Sequence, residues 1–267
     1  MRKRRPSGQP TRGKTALNRL RQIDTYILLA WPHVLTSGTP LIVDVGYGAY
    51  PWTALEMWER WLPLNSRLRL LGVEIAPERV AAAQPSIQDG LIDFRLGGFD
   101  LQNFITSKSA RIIRAYNVLR QYAEEDVPSA LHEMAQALEP GGLLIEGTST
   151  PSGHLVVFDV YQTTFAGTLE HRALVFGTNF RQPAEPIDFQ TILPKRLIHH
   201  ALDERPALFF DHWRRSLVLA RANGQDGRRH SWIYAARLLK ERYGYPIDTR
   251  KRLLRRGYLS IHDRLYP

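Results

Sequence analysis

The sequence predicts an α/β protein: an open, mostly parallel sheet with helices on both faces, antiparallel strands near its end, and a helical C-terminal appendage. Three observations predict it. Between residues 41 and 146, short apolar runs of strand length alternate four times with helix-spaced segments, the pattern of parallel strands joined by crossover helices. Two further apolar runs, 155–161 and 173–177, read as antiparallel additions. From Glu204 onward the apolar residues return to helical spacing, with Trp213 and Leu217, then Trp232, Ala236 and Leu239.

Residues 1–15 mix cations with Pro6, Gly8, Pro10 and Gly13 and read as a flexible basic arm. Leu17, Leu20, Ile23 and Ile27 share one stripe, so a helix is expected over Ala16–Trp31. Gly38 and Pro40 end that region. Leu41–Val45 (LIVDV) is a buried strand, Gly46-Tyr47-Gly48 a turn, and Pro51 suits a first helical position. Trp52, Trp58 and Trp61 on that helix read as core. Strands two to four are expected at Leu68–Ile75, Asp93–Leu96 and Ile112–Leu119. Between the second and third, 77–83 is helical. Asp126–Leu138 is an amphipathic helix stopped by Pro140-Gly141-Gly142, and Leu143–Glu146 is the fifth strand. The domain reading is an arm over 1–15, a ligand-binding α/β domain over 16–203, and a basic helical appendage over 204–267.

Charge is segregated. The 267 residues carry a formal +10: residues 1–22 hold +8, residues 23–204 hold −8 and residues 205–267 hold +10. Basic ends of this kind can bind phosphate backbones, so RNA is a candidate partner through 1–22 and 205–267. There is no cysteine, which excludes disulfides, thiolate metal sites and a cysteine nucleophile. No apolar run reaches the ~18 residues of a membrane span, and no apolar segment follows the basic start as a secretory signal would require. A soluble, cytoplasmic protein is the expectation. His199-His200 lacks further ligands at suitable spacing, so no metal is expected. Gly8–Thr15 fits the phosphate-loop spacing G-x-x-x-x-G-K-T, but MRKRRPS before it cannot be the buried strand such a loop needs.

The stretch Asp44-Val45-Gly46-Tyr47-Gly48 carries the chemistry. Its glycines let a ligand approach the backbone, and it closes a strand expected at the point where strand order reverses. Glu74 ends the next strand, where a carboxylate can accept from ribose hydroxyls. A nucleoside site follows, with Gly46 and Gly48 as floor and Glu74 as clamp. Pro51 stands where the dinucleotide fingerprint G-x-G-x-x-G needs its third glycine, which weighs against a nicotinamide oxidoreductase.

The acid-x-Gly-x-Gly form resembles motif I of the class I S-adenosylmethionine-dependent methyltransferases, whose domain is Rossmann-like. The resemblance continues through Glu74, the loop in Phe94–Leu101 (FRLGGFDL), Asn117 at the end of strand four, and Leu138–Leu144 (LEPGGLL). It covers about residues 40–150 in order. It implies S-adenosylmethionine as cofactor, held by Asp44 at its cationic methionine end, by Gly46, Tyr47 and Gly48, by Glu74 at the ribose and by Asn117. The family often has an acid where Gly98 stands, so adenine contact would pass to the Phe99 backbone or to Asp100. Segments Arg12–Arg21 and Asn117–Tyr122 are similar to uncharacterised bacterial methyltransferase-like proteins, which suggests that Thr15, Asn18 or Arg19 folds back over the pocket. No cysteine attack on cytosine is possible, and no Asn-Pro-Pro-aromatic motif follows Asn117, so hydroxyls, carboxylates and aliphatic or ring nitrogens remain as acceptors. Arg120 and Tyr122 are the candidates to border the acceptor. Arg120 has an alternative as an i, i+4 partner of Glu124. The competing reading is a non-catalytic cofactor-binding fold acting as a nucleic-acid-binding or assembly module.

Overall fold

A computed structural model describes residues 7–105 and 108–265. The apolar runs assemble into one eight-stranded sheet of order β3-β2-β1-β4-β5-β6-β7-β8. The strands are β1 (Leu41–Val45), β2 (Arg69–Glu74), β3 (Ile92–Leu96), β4 (Ala110–Tyr116), β5 (Leu138–Ser149), β6 (Leu155–Thr163), β7 (Leu169–Thr178) and β8 (Tyr258–Ile261). The first five are parallel, and β6, β7 and β8 add antiparallel.

The helices are α1 (Arg21–Ala30), α2 (His33–Thr36), α3 (Trp52–Trp61), α4 (Pro77–Ala83), α5 (Val127–Ala135), α6 (Pro186–Gln190), α7 (Lys195–Ile198), α8 (Glu204–Ala222), α9 (Arg228–Glu241) and α10 (Lys251–Leu254). One face of the sheet packs α1 and α3, through Ile23, Ile27, Met57 and Trp61. The other packs α5 over the parallel half and α8 and α9 over β6–β8, through Phe176, Phe209, Trp213 and Trp232. Alternate residues of each strand therefore serve two cores, which is why the parallel strands read as continuous apolar runs.

Three expectations shift. The first helix begins at Arg21 and not at residue 16, because Asn18 takes a left-handed backbone (φ 61°) that a helix cannot continue through. The amphipathic helix ends at Ala135, ahead of Pro140-Gly141-Gly142, which lies inside β5, where the register between β4 and β5 breaks. The C-terminal segment is helical as expected over α8 and α9, but its end returns to the sheet as β8, pairing with β7.

β1 lies between β2 and β4, so strand order reverses at β1 and β4. A crevice opens outside the carboxyl ends of the strands at such a point.

Candidate functional site

A cavity of about 810 Å3 sits beyond the C-terminal ends of β1, β4 and β5. Asp44, Gly46, Tyr47, Gly48, Asn117, Arg120 and Ser149 are among its lining residues. Gly46 (φ 70°) and Gly48 (φ 91°) turn the chain in conformations that L side chains rarely adopt. A Cβ on Gly46 would come within 2.6 Å of Val118 Cγ2.

Asp44 is not a bare carboxylate. It lies opposite Arg114 in the β1–β4 register. The guanidinium donates to both Asp44 oxygens, from Nε at 2.8 Å and Nη2 at 2.9 Å, while Nη1 reaches Asp24 on α1 at 2.7 Å. All three side chains are buried. Arg60 stands 3.6 Å from the other side of Asp24. Desolvation raises the Asp24 carboxyl to about 6 against the opposing pull of Arg114 and Arg60. Burial opposes the Arg114 charge, yet the two carboxylates hold its proton well above the ordinary arginine range. The carboxylate that the sequence offered to a cationic ligand is thus taken up by an internal cation, although Asp44 still borders the cavity.

Glu74 is buried at the end of β2. Its Oε2 accepts from Gly48 N–H at 3.1 Å, and its Oε1 accepts from Ile75 and Ala76 N–H and lies 3.4 Å from Arg79 Nη1. It therefore braces the glycine turn, and Oε2 keeps room for one more donor.

Residues 7–15 take no helix or strand, but they are pinned across the strand ends. Ser7 O accepts from Phe99 N–H at 3.1 Å. Ser7 N–H donates to Asp100 Oδ1 at 3.3 Å. Gln9 N–H donates to the Tyr122 hydroxyl at 2.6 Å, which donates in turn to Gln9 O at 3.1 Å. Thr11 O accepts from Arg79 Nη2, Arg12 N–H donates to Gln121, and Gly13 O accepts from Ala49 N–H. Gly98 is needed beneath this segment, because a Cβ there would overlap Ser7 O. Residues 1–6 of the expected arm lie outside the described residues.

The remaining candidates separate. Asn117 holds a left-handed backbone (φ 61°) at the cavity wall. Its side chain is locked to β5, accepting from Ser149 N–H at 2.9 Å and donating to Ser149 Oγ at 3.2 Å. Thr15, Arg19 and Arg120 line the cavity; Asn18 instead donates its N–H to Glu56. Tyr122 lies under the Gln9 segment, where burial raises its hydroxyl. Glu124 is engaged by His200 at 2.7 Å, and no Arg120–Glu124 ion pair forms among the described residues. Trp58 and Trp61 are core, but Trp52 is 39% exposed. The buried Asp24–Arg114–Asp44 network escaped sequence reasoning. Its members lie 90 and 70 positions apart, and a lone arginine in a strand carries no signal of its partners.

No family model and no curated protein matches the chain. Solved structures do. An S-adenosylmethionine-dependent methyltransferase from Mesorhizobium loti is 20% identical with a TM-score of 0.32, over 45% of this chain and 54% of that one. Human N-acetylserotonin methyltransferase in complex with S-adenosylmethionine is 23% identical with a TM-score of 0.36, over 47% and 33%. Geranyl diphosphate C-methyltransferase from Streptomyces coelicolor A3(2) is 16% identical with a TM-score of 0.36, over 48% and 46%. The match thus spans from a third to about half of the length of these chains.

Proposed function

We propose that this chain is an S-adenosylmethionine-dependent methyltransferase. The observation that carries the reading is the pairing of Phe99 N–H with the Asp100 carboxylate. Side by side, they receive an acceptor and a donor from one residue, the backbone C=O and N–H of Ser7. Adenine offers the same adjacent acceptor and donor. The loop that carries the pair reaches Glu74, whose backbone oxygen accepts from Gly97 N–H at 3.0 Å, and the Glu74 side chain in turn accepts from Gly48 N–H in the turn after β1.

The donor set fits an adenosyl group. Phe99 and Asp100 would hold the base, the free position on Glu74 Oε2 one ribose hydroxyl, and the Gly46–Gly48 backbone the sugar above it. The cofactor supplies a methyl group already activated by a sulfonium. The protein has to hold the acceptor in line and exclude water. Asn117 and Ser149 stiffen the wall where strand ends meet the cavity. Asp44 is the acid in the lining, and it is held by Arg114. With no free carboxylate or imidazole there among the described residues, the reading favours an acceptor whose lone pair needs no base, such as a ring nitrogen.

For the cofactor to load, residues 7–13 must leave the base subsite. One observation favours a second reading: the subsite is already filled by the chain's own backbone and Glu74 already faces Arg79. A permanently filled subsite would suit a non-catalytic module.

Calorimetric titration with S-adenosylmethionine and S-adenosylhomocysteine separates the two, with NAD and ATP as controls. Micromolar binding that is lost in Gly46→Arg and in Glu74→Ala supports the enzyme. No binding up to millimolar, with or without residues 1–13, would overturn it.

A further inference from the structure

Tyr50 and Trp52 stand at the start of α3, 49% and 39% exposed. Their rings are stacked on each other, with centroids 4.7 Å apart and planes 13° apart. Single exposed aromatics are ordinary on a protein surface. A stacked pair leaves an outer ring face on which a further ring can continue the stack, and this one adjoins a cationic segment. Ala49 N–H donates to Gly13 O, which sets Tyr50 beside the stretch that carries Lys14.

Four cations line the adjacent cavity. Arg12 and Lys14 come from the pinned segment, Arg19 from the turn before α1, and Arg120 from the loop after β4. None has a carboxylate within ion-pair distance among the described residues. Arg19 is the most telling. Its Nε donates to Ser149 Oγ and its Nη1 to Lys14 O, both neutral acceptors. Burial lowers its proton affinity, and only the Tyr116 hydroxyl pulls the other way. Arg12 and Lys14 are exposed and Arg19 and Arg120 half-buried, so the wall presents positive charge that an anion from outside can meet.

We propose that the stacked Tyr50–Trp52 pair and the cationic cavity wall together bind a single-stranded polynucleotide, a base lying on the rings and phosphates on Arg12, Lys14, Arg19 and Arg120. A row of cations along a backbone beside aromatic faces is the general construction of single-strand sites. A duplex keeps its bases stacked inside and offers none to an exposed ring pair. This binding does not depend on the methyl-transfer reading.

The test uses the full chain without cofactor, and the anisotropy of a fluorescein-labelled 12-nucleotide RNA lacking self-complementarity. The same-sequence DNA strand, the RNA duplex and free AMP run beside it. Both single strands are expected to bind and to weaken steeply between 50 and 200 mM salt, as phosphate contacts require. Tyr50→Ala/Trp52→Ala should lose roughly 10-fold or more in affinity for either strand, from the stacking contribution. Arg12→Glu/Lys14→Glu/Arg120→Glu should lose more and show a shallower salt slope. Thermal melts establish that each variant is folded, and Trp52→Phe serves where the double variant is not: it should keep the affinity but lose quenching of tryptophan emission on binding. Ring variants that bind like wild type, or a duplex bound as tightly as the single strands, would overturn the proposal. AMP competing as well as the 12-mer would reduce the site to one for a free nucleotide and overturn the strand. Strand binding with no S-adenosylhomocysteine binding would leave this site standing and remove the cofactor reading.

Discussion

Ser7 and Phe99 are joined through their backbones: the Phe99 amide donates to the Ser7 carbonyl at 3.1 Å, and the Ser7 amide reaches the neighbouring Asp100 carboxylate at 3.3 Å. The backbone of Ser7 thus occupies the base subsite of the proposed function, under which cofactor loading is a competition. A ligand that meets a competent state in only one molecule of ten has its affinity lowered about tenfold. Removing residues 1–13 is expected to tighten S-adenosylhomocysteine by about that factor. Tyr122→Phe, which releases Gln9 from a donor and an acceptor at once, should tighten it a few-fold. Calorimetry reads both; equal affinity in all three proteins would show that the segment does not compete.

Arg114 bonds two buried carboxylates at once, Asp44 and Asp24. Arg114→Met leaves Asp24 and Asp44 without their shared cation, a change that costs about 3–5 kcal/mol at buried pairs. The expected result is a fall of roughly 10 °C in melting temperature. Asp44→Asn added to Arg114→Met should recover part of it by removing an orphan charge, since Arg60 still faces Asp24. A melting temperature within a degree of wild type would contradict the burial of this network.

Glu146 lies opposite Asp159 in the β5–β6 register, fully buried, and its Oε1 has no hydrogen-bond partner among the described residues. Burial first, and the Asp159 charge second, raise its carboxyl to about 8, although Arg196 pulls the other way. An acid raised in the folded state binds more protons there than in the unfolded chain, between about 4.5 and 8. Stability from this group is therefore present at low pH and is lost as pH rises across that window, at up to about 1.4 kcal/mol per pH unit. Glu146→Gln should flatten this slope and be the more stable protein at pH 8–9. Urea unfolding of both proteins from pH 5 to 9 measures the difference; parallel curves would count against a protonated Glu146.

Much of this architecture was legible in advance. Five parallel strands, their order along the chain and the glycine turn after β1 follow from apolar runs and turn residues that act locally. Glu74 fell at its strand end for the same reason. β8 was not legible: Tyr258–Ile261 follows a basic stretch and is four residues long, so only the free edge of β7 selects it as a strand. Trp52 has the same helical spacing context as Trp58 and Trp61, yet it lies at the helix start, beyond the reach of the core.

The sequence by itself determined the fold class, the crevice at the strand-order reversal and the side chains available around it, because periodicity and turn chemistry are local properties. The tertiary structure alone decided how those side chains are spent. Asp44 meets Arg114 and Asp24, Ser7 covers Phe99, and Tyr50 stacks on Trp52 beside unpaired cations. The first two of these join residues far apart along the chain. All three depend on distances of a few ångströms, which charge and hydrogen-bond energies require and which spacing along a chain does not encode.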